Sequence, residues 1–271
     1  MPEPRRLPNL FHFFLLLVFT LAALIPAEAI VLGIARPQPL TAGFLDQKLQ
    51  LFANALTYLI ALASAYVILP LLWHRRPLAT IEWNARKATP LLALLGLVLG
   101  WTFQFITRFL PTPKKMPIEE IFHNPHAIWL LVAFGTLLAP LFEEILFRGF
   151  LLPALAIAVD WARLPRPSGS LAPLEALTHL DAWRASDTYS PLALTASSIL
   201  TSILFALIHA PQLGYTWSAI ILLVIVSLIL CFIRIRTHSV AASTLVHACY
   251  NFSVFVTIFI ATSGFRHLDK A

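Results

Sequence analysis

Seven long apolar runs constrain this chain more than any other feature: residues 10–34, 51–73, 89–107, 127–159, 192–214, 217–233 and 240–263. Each reaches the minimum of about 17 residues that a helix needs to cross a bilayer. Backbone groups in lipid must be bonded within their own segment, so the runs predict helices, and no alternating strand pattern competes with them. The predicted fold is all-α, a polytopic transmembrane helical bundle. Composition agrees, with 59% hydrophobic and 12% charged residues and a mean hydropathy of +0.80, against the roughly 25% charge of a soluble domain. Soluble enzymes, disordered regulators and disulfide scaffolds are thereby excluded. The two cysteines, Cys231 and Cys249, both lie in apolar runs and read as small buried hydrophobes.

The fourth run spans 33 residues and contains Pro140, so it is either one tilted, kinked helix or two shorter ones. Loop charges favour the first option. With the N-terminus inside and seven spans, eleven Lys and Arg lie inside and seven outside; splitting the run makes it eight against ten, which the positive-inside rule disfavours. Eight spans stay open as the alternative. The net charge of +6 is scattered in short clusters between apolar runs, reporting topology and not a nucleic-acid partner. Arg5, Arg6, the first run and Ala27-Glu28-Ala29 imitate a secretory signal. The run continues past that point, as a retained membrane helix does. Residues 160–190 form the one long polar stretch, expected to be a connection with a short interfacial helix at 174–183. The expected organisation is N-terminal helices over 1–126, a functional core over 127–263 and a tail over 264–271.

Ionisable groups are costly inside a membrane, so those found there are functional candidates. They are Glu28, the cluster Glu143-Glu144-x-x-x-Arg148, His209, and His247 with Asn251. Glu144 and Arg148, four apart, share a helix face and can pair. Glu143 is rotated by about 100° from that face, which leaves it free to act as a general base. His247 and Asn251, also four apart, present two neutral donors, an imidazole and an amide, side by side. They suit either oxyanion stabilisation or a polar helix contact. Together these residues are the inventory of acyl-transfer hydrolysis. A purely structural network and an ion-coupled transporter are the competing readings. His123-x-x-His126 reads as a loop, without a further ligand at metal spacing.

In that order, Glu143-Glu144-x-x-x-Arg148, Phe205-x-x-x-His209 and His247-x-x-x-Asn251 resemble the three motifs of the CAAX prenyl endopeptidase type II family, also called the Abi or CPBP family. The likeness covers roughly residues 127–263. Arg236-Thr237-His238-Ser239 also resembles the family's usual turn, with His238 where a glycine is common. The resemblance implies an intramembrane glutamate-dependent peptidase in which Glu143 and His209 activate water. His247 and Asn251 would then be oxyanion donors, with Glu144 and Arg148 in support. It implies no cofactor: the motifs lack the tight His-x-x-x-His spacing of zinc peptidases, so a metal-free site is expected. The implied partners are a peptide or membrane-protein substrate and the lipid bilayer, in a multi-pass protein of the cell membrane. The alternative is a non-catalytic immunity or scaffold protein. One tension stands: in the seven-span arrangement His209 falls near the far end of its helix and His247 in the first third of another.

Overall fold

The computed structural model describes residues 6–110, 127–164, 172–186 and 188–266, and every regular element among them is helical. Among the described residues seven helices are long and apolar enough to cross a membrane: Leu10–Ala35, Gln47–Trp73, Pro90–Thr107, Ile128–Ala162, Pro191–Ile208, Trp217–Thr237 and Val240–Ala261. They are called the first to seventh spans below. Their outer faces are apolar, with Ile25, Leu91 and Ile260 each about three-quarters exposed, as lipid-facing side chains are.

The starts follow local chemistry. Asp46 caps the second span by accepting from the Lys48 and Leu49 amides. Ser190 accepts from the Ala193 amide just before Pro191 opens the fifth, and Ser239 accepts from the Ala242 amide at the seventh. These caps satisfy donors that helix starts leave orphaned.

Between spans, small residues set the approach. The first and second spans meet through Ala23, Ala27, Ala61 and Ala65, all buried. The third packs on the seventh through Gly96-x-x-x-Gly100. A Cβ on Gly96 would sit 2.8 Å from the Cys249 Cβ, and one on Gly100 2.8 Å from the Tyr250 carbonyl oxygen. Without a hydrophobic drive between helices in lipid, such close backbone contact is what holds them together. Gly100→Leu should therefore push the seventh span outward and lower the melting temperature in mild detergent by several degrees. Thermal unfolding checks this, with Leu91→Ala on a lipid-facing surface as the control that should melt close to wild type.

The fourth span is one continuous helix of 35 residues, so the seven-span reading holds. At 1.5 Å per residue it measures about 52 Å, more than the hydrocarbon thickness of about 30 Å, and it must lie tilted or project beyond the core. Two π-helical stretches, Phe134–Leu138 and Ile145–Leu151, interrupt its α-geometry, while the junctions stay right-handed helical. Pro140 and Pro153 each follow one of these stretches by two residues. Proline cannot donate to the carbonyl one turn back, and a widened turn takes up the mismatch without breaking the helix.

The end of the bundle with the denser cations is tied together by long-range contacts. Arg6 pairs with Asp160 at 3.5 Å and donates to the carbonyls of Trp183 and Thr188. Asp160 also accepts from the Ser190 amide and hydroxyl. The Val240 amide donates to the Glu82 carbonyl, and the Ser239 hydroxyl to that of Asn84. These contacts place the chain start, the second connection, the end of the fourth span and the turn before the seventh at one end, as spans that cross alternately in opposite directions require.

The polar stretch contains the helix Ala172–Ala185, slightly longer than the expected 174–183. Arg6 holds its C-terminal end and stacks its guanidinium on the Trp183 ring at 4.7 Å. Arg6→Ala is expected to raise amide hydrogen exchange in Ala172–Ala185 about tenfold, equivalent to the ~1.5 kcal/mol of a hydrogen bond to a charged group. Unchanged exchange would show that the helix is held by other means.

Candidate active site

Glu143 and Glu144 lie near the middle of the fourth span, between its two π-helical stretches. Consecutive helical residues point about 100° apart, and the two carboxylates enter different surroundings. The Glu144 side chain is fully buried, whereas that of Glu143 keeps 15% of its surface.

Glu144 anchors a buried network. Its Oε1 accepts from Arg148 Nη1 at 2.8 Å and from His247 Nδ1 at 3.0 Å. The other Nη of Arg148 donates to the Ser227 hydroxyl at 2.6 Å and to the Ser227 carbonyl at 3.1 Å. A planar guanidinium can serve a carboxylate and a helix backbone at once because its donors form a rigid fork. Phe205 covers this network, lying 4.8 Å below the Arg148 guanidinium carbon and against Phe147 and both imidazoles. Ions so far from water persist only when paired and hydrogen-bonded.

Glu143 faces the two histidines. Its Oε1 is 3.8 Å from His209 Nε2, and its Oε2 is 3.8 Å from His247 Nε2. Both separations exceed a direct hydrogen bond and are of the length that a shared water spans. The far nitrogens fix the tautomers: His209 Nδ1 lies 2.7 Å from the Phe205 carbonyl and His247 Nδ1 against the Glu144 carboxylate. Neither acceptor carries a proton, so both Nδ1 atoms must. In the neutral imidazoles each Nε2 therefore turns a lone pair toward Glu143. The inner cluster holds two carboxylates against one guanidinium, and protonation of one imidazole brings its charge to zero.

The depth mismatch between His209 and His247 is resolved by the register of the fifth span on the sixth. Ser202 lies against Cys231 at 3.8 Å. In antiparallel helices this sets His209 level with about residue 224, only roughly 4.5 Å along the axis from Ser227. Arg148 links Ser227 to Glu144, and Glu144 holds His247. Both rings thus approach Glu143 from neighbouring levels.

Asn251, one turn beyond His247, donates from Nδ2 to the Gly135 carbonyl at 2.8 Å. That carbonyl belongs to the first π-helical stretch. The bond takes one of the two amide hydrogens and fixes the side chain between the fourth and seventh spans. Five of the six expected residues thus form one contact cluster, and Asn251 borders it through the helix it shares with His247.

Three further residues belong to the surroundings. Ser227 breaks an otherwise apolar stretch of the sixth span, and a lone buried hydroxyl is the signal that could have marked it. Ser243 stands one turn before His247 and is fully buried near Glu144. Tyr58 of the second span stacks on Phe142, the chain neighbour of Glu143, at 4.0 Å and 8°. Glu28 takes no part: it is exposed beside a cavity of about 220 Å3 that Gln50 and Asn54 also line. His123 and His126 lie outside the described residues. Among the described residues no three His, Cys, Asp or Glu side chains are placed to hold a metal ion.

Residues 125–253 match the family described as Type II CAAX prenyl endopeptidase Rce1-like. The chain carries an Rce1-like endopeptidase domain. That family comprises glutamate-dependent intramembrane proteases, and the seven candidate spans make the chain a multi-pass membrane protein. No curated protein and no solved structure matches the chain. The Rce1-like stretch includes Glu143 through Asn251 and leaves out the first three spans, Tyr58 among them. His238, at the position where the family commonly has glycine, adopts φ 50° and ψ 43°. This left-handed conformation suits glycine best.

Proposed function

We propose that the chain is an intramembrane endopeptidase that hydrolyses peptide bonds of a membrane-associated or lipidated protein or peptide, at the cell membrane. A water placed between Glu143 and His209 Nε2 gives its proton to the Glu143 carboxylate while its oxygen adds to the peptide carbonyl carbon. The carbonyl oxygen becomes an oxyanion. Asn251 offers it the amide hydrogen that Gly135 does not use. His247 can donate from Nε2 only as an imidazolium, since its Nδ1 proton is committed to Glu144; the Glu144 carboxylate stabilises that charge. As the tetrahedral intermediate collapses, the C–N bond breaks and the proton on Glu143 passes to the leaving amine.

The observation that carries this reading is the placement of one partly accessible carboxylate against two imidazole Nε2 atoms, each at 3.8 Å. The test is mass-spectrometric mapping of new peptide termini in membranes and medium of cells carrying wild type or Glu143→Gln at equal protein level. Termini found only with wild type are expected. Identical sets, with candidate membrane substrates expressed, would move the assignment to a non-catalytic immunity or scaffold protein.

His209→Ala is expected to lower turnover by about 10²-fold, the cost of misplacing the water that His209 Nε2 orients. The variant should keep its membrane level, because among the described residues the His209 ring is hydrogen-bonded only to its own helix backbone and lies next to the partly accessible Glu143. Progress of cleavage of a substrate identified by the terminus map would measure this.

A further inference from the structure

At the cation-rich end of the bundle a cavity of about 430 Å3 opens between the end of the fourth span, the start of the fifth and the last turn of the sixth. One wall is apolar, with Leu7 and Leu194 as its partly exposed side chains; the other carries Tyr189, Arg234 and Arg236 with Glu82. The charges on the polar wall do not balance. Glu82 takes Arg234 Nη1 at 2.6 Å, and no other acceptor among the described residues engages the rest of that guanidinium. Arg236 is exposed and lies over the lipid-facing Phe232 ring at 5.3 Å. Two guanidiniums thus stand against one carboxylate, and His238 adds a further imidazole 3.8 Å from that carboxylate.

Tyr189 supplies a neutral donor. Burial, and after it the charge of Glu82, push its phenol above the usual range, so it keeps its proton. Among the described residues no hydrogen bond engages its hydroxyl. Tyr189, Thr80 and Glu82 also line a second depression, which Arg75 and Arg76 border. Its level in the bundle is that of helix ends, where lipid phosphates lie, and Trp161, 59% exposed nearby, suits an interfacial anchor.

We propose that this cavity binds the head group of one anionic phospholipid, with the phosphate against Arg234, Arg236 and Tyr189 and the first acyl carbons on Leu7 and Leu194. A soluble anion would leave the apolar wall wet. A zwitterionic lipid would bring its quaternary ammonium toward two guanidiniums. Basic pockets between spans on the cation-rich side are suited to anionic head groups for these reasons. The site is separate from the residues proposed for catalysis, so it stands or falls independently of proteolysis.

The test is native mass spectrometry of the full-length protein from mild detergent with phosphatidylglycerol, phosphatidylcholine or inorganic phosphate added. Wild type is expected to retain one phosphatidylglycerol per chain, in preference to phosphatidylcholine by roughly thirtyfold, which is what two cations near a head group of net negative charge are worth. Arg236→Gln, an exposed change that leaves the Arg234–Glu82 pair intact, should remove much of that preference. Arg236→Gln with Tyr189→Phe should bring it to the phosphatidylcholine level. Equal retention of the two lipids by wild type, or an unchanged preference in Arg236→Gln, would overturn the proposal. Displacement of phosphatidylglycerol by an equal concentration of inorganic phosphate would also overturn it, reassigning the cavity to a soluble anion.

Discussion

Glu143→Gln should lower turnover by about 10²–10⁴-fold, the range that a positioned general base contributes, with the protein still present in the membrane at its normal level. The amide matches the carboxylate in size and fills the same space beside His209 and His247, but it cannot take a proton from water. Glu143→Asp provides the graded control. It keeps the base and withdraws it by one methylene, about 1.5 Å, from two imidazoles already at 3.8 Å. A displacement of that order costs about 10²-fold when geometry sets the rate. Single-turnover cleavage of a mapped substrate would separate the two variants. Aspartate activity equal to wild type, or glutamine activity above a tenth of it, would exclude Glu143 as the base.

The crossings were legible because burial in lipid imposes an apolar run of fixed length, and that requirement is local in sequence. The pairing of Glu144 with Arg148 was legible for the same reason, being a four-residue helical spacing. The contacts that join helices are not local. Arg148 meets Ser227 across 79 positions and His247 meets Glu144 across 103, and no spacing rule connects such pairs. This is why the depths of His209 and His247 looked incompatible until the register of the fifth and sixth spans brought them level.

The π-helical stretches were hidden by a different cause. Pro140 announces a disturbance, but whether a helix kinks, breaks or widens depends on what packs around it. Gly96-x-x-x-Gly100 was readable in principle as a close-packing motif, yet which partner it faces is fixed only by the whole bundle. His247 shows the limit for chemistry. Spacing placed it beside Asn251 as a neutral donor, whereas the Glu144 carboxylate on Nδ1 means that Nε2 donates only in the protonated ring.

Removing Arg148 should have the largest effect on stability, and the way it is rescued distinguishes a structural from a functional role. Arg148→Met leaves the Glu144 carboxylate fully buried with the neutral His247 ring as its remaining hydrogen-bond partner among the described residues, where Glu144 Oε2 already has none. Breaking a buried ion pair from one side costs about 3–5 kcal/mol, so less protein should reach the membrane and its melting temperature in detergent should fall markedly. Arg148→Lys should recover only part of this, because one ammonium cannot serve both Glu144 and Ser227 as the guanidinium does. Glu144→Gln with Arg148→Met buries no unpaired charge and should regain most of the loss, with a coupling of about 1–3 kcal/mol in the double-mutant cycle. Cleavage should nevertheless stay low in the double variant. Glutamine can still accept from His247 Nδ1, but it brings no negative charge to stabilise the imidazolium that Nε2 donation requires. Stability and cleavage returning together would mean that the pair only holds helices, while a double variant as unstable as Arg148→Met would mean that the network is valued for its hydrogen bonds and not for its charge.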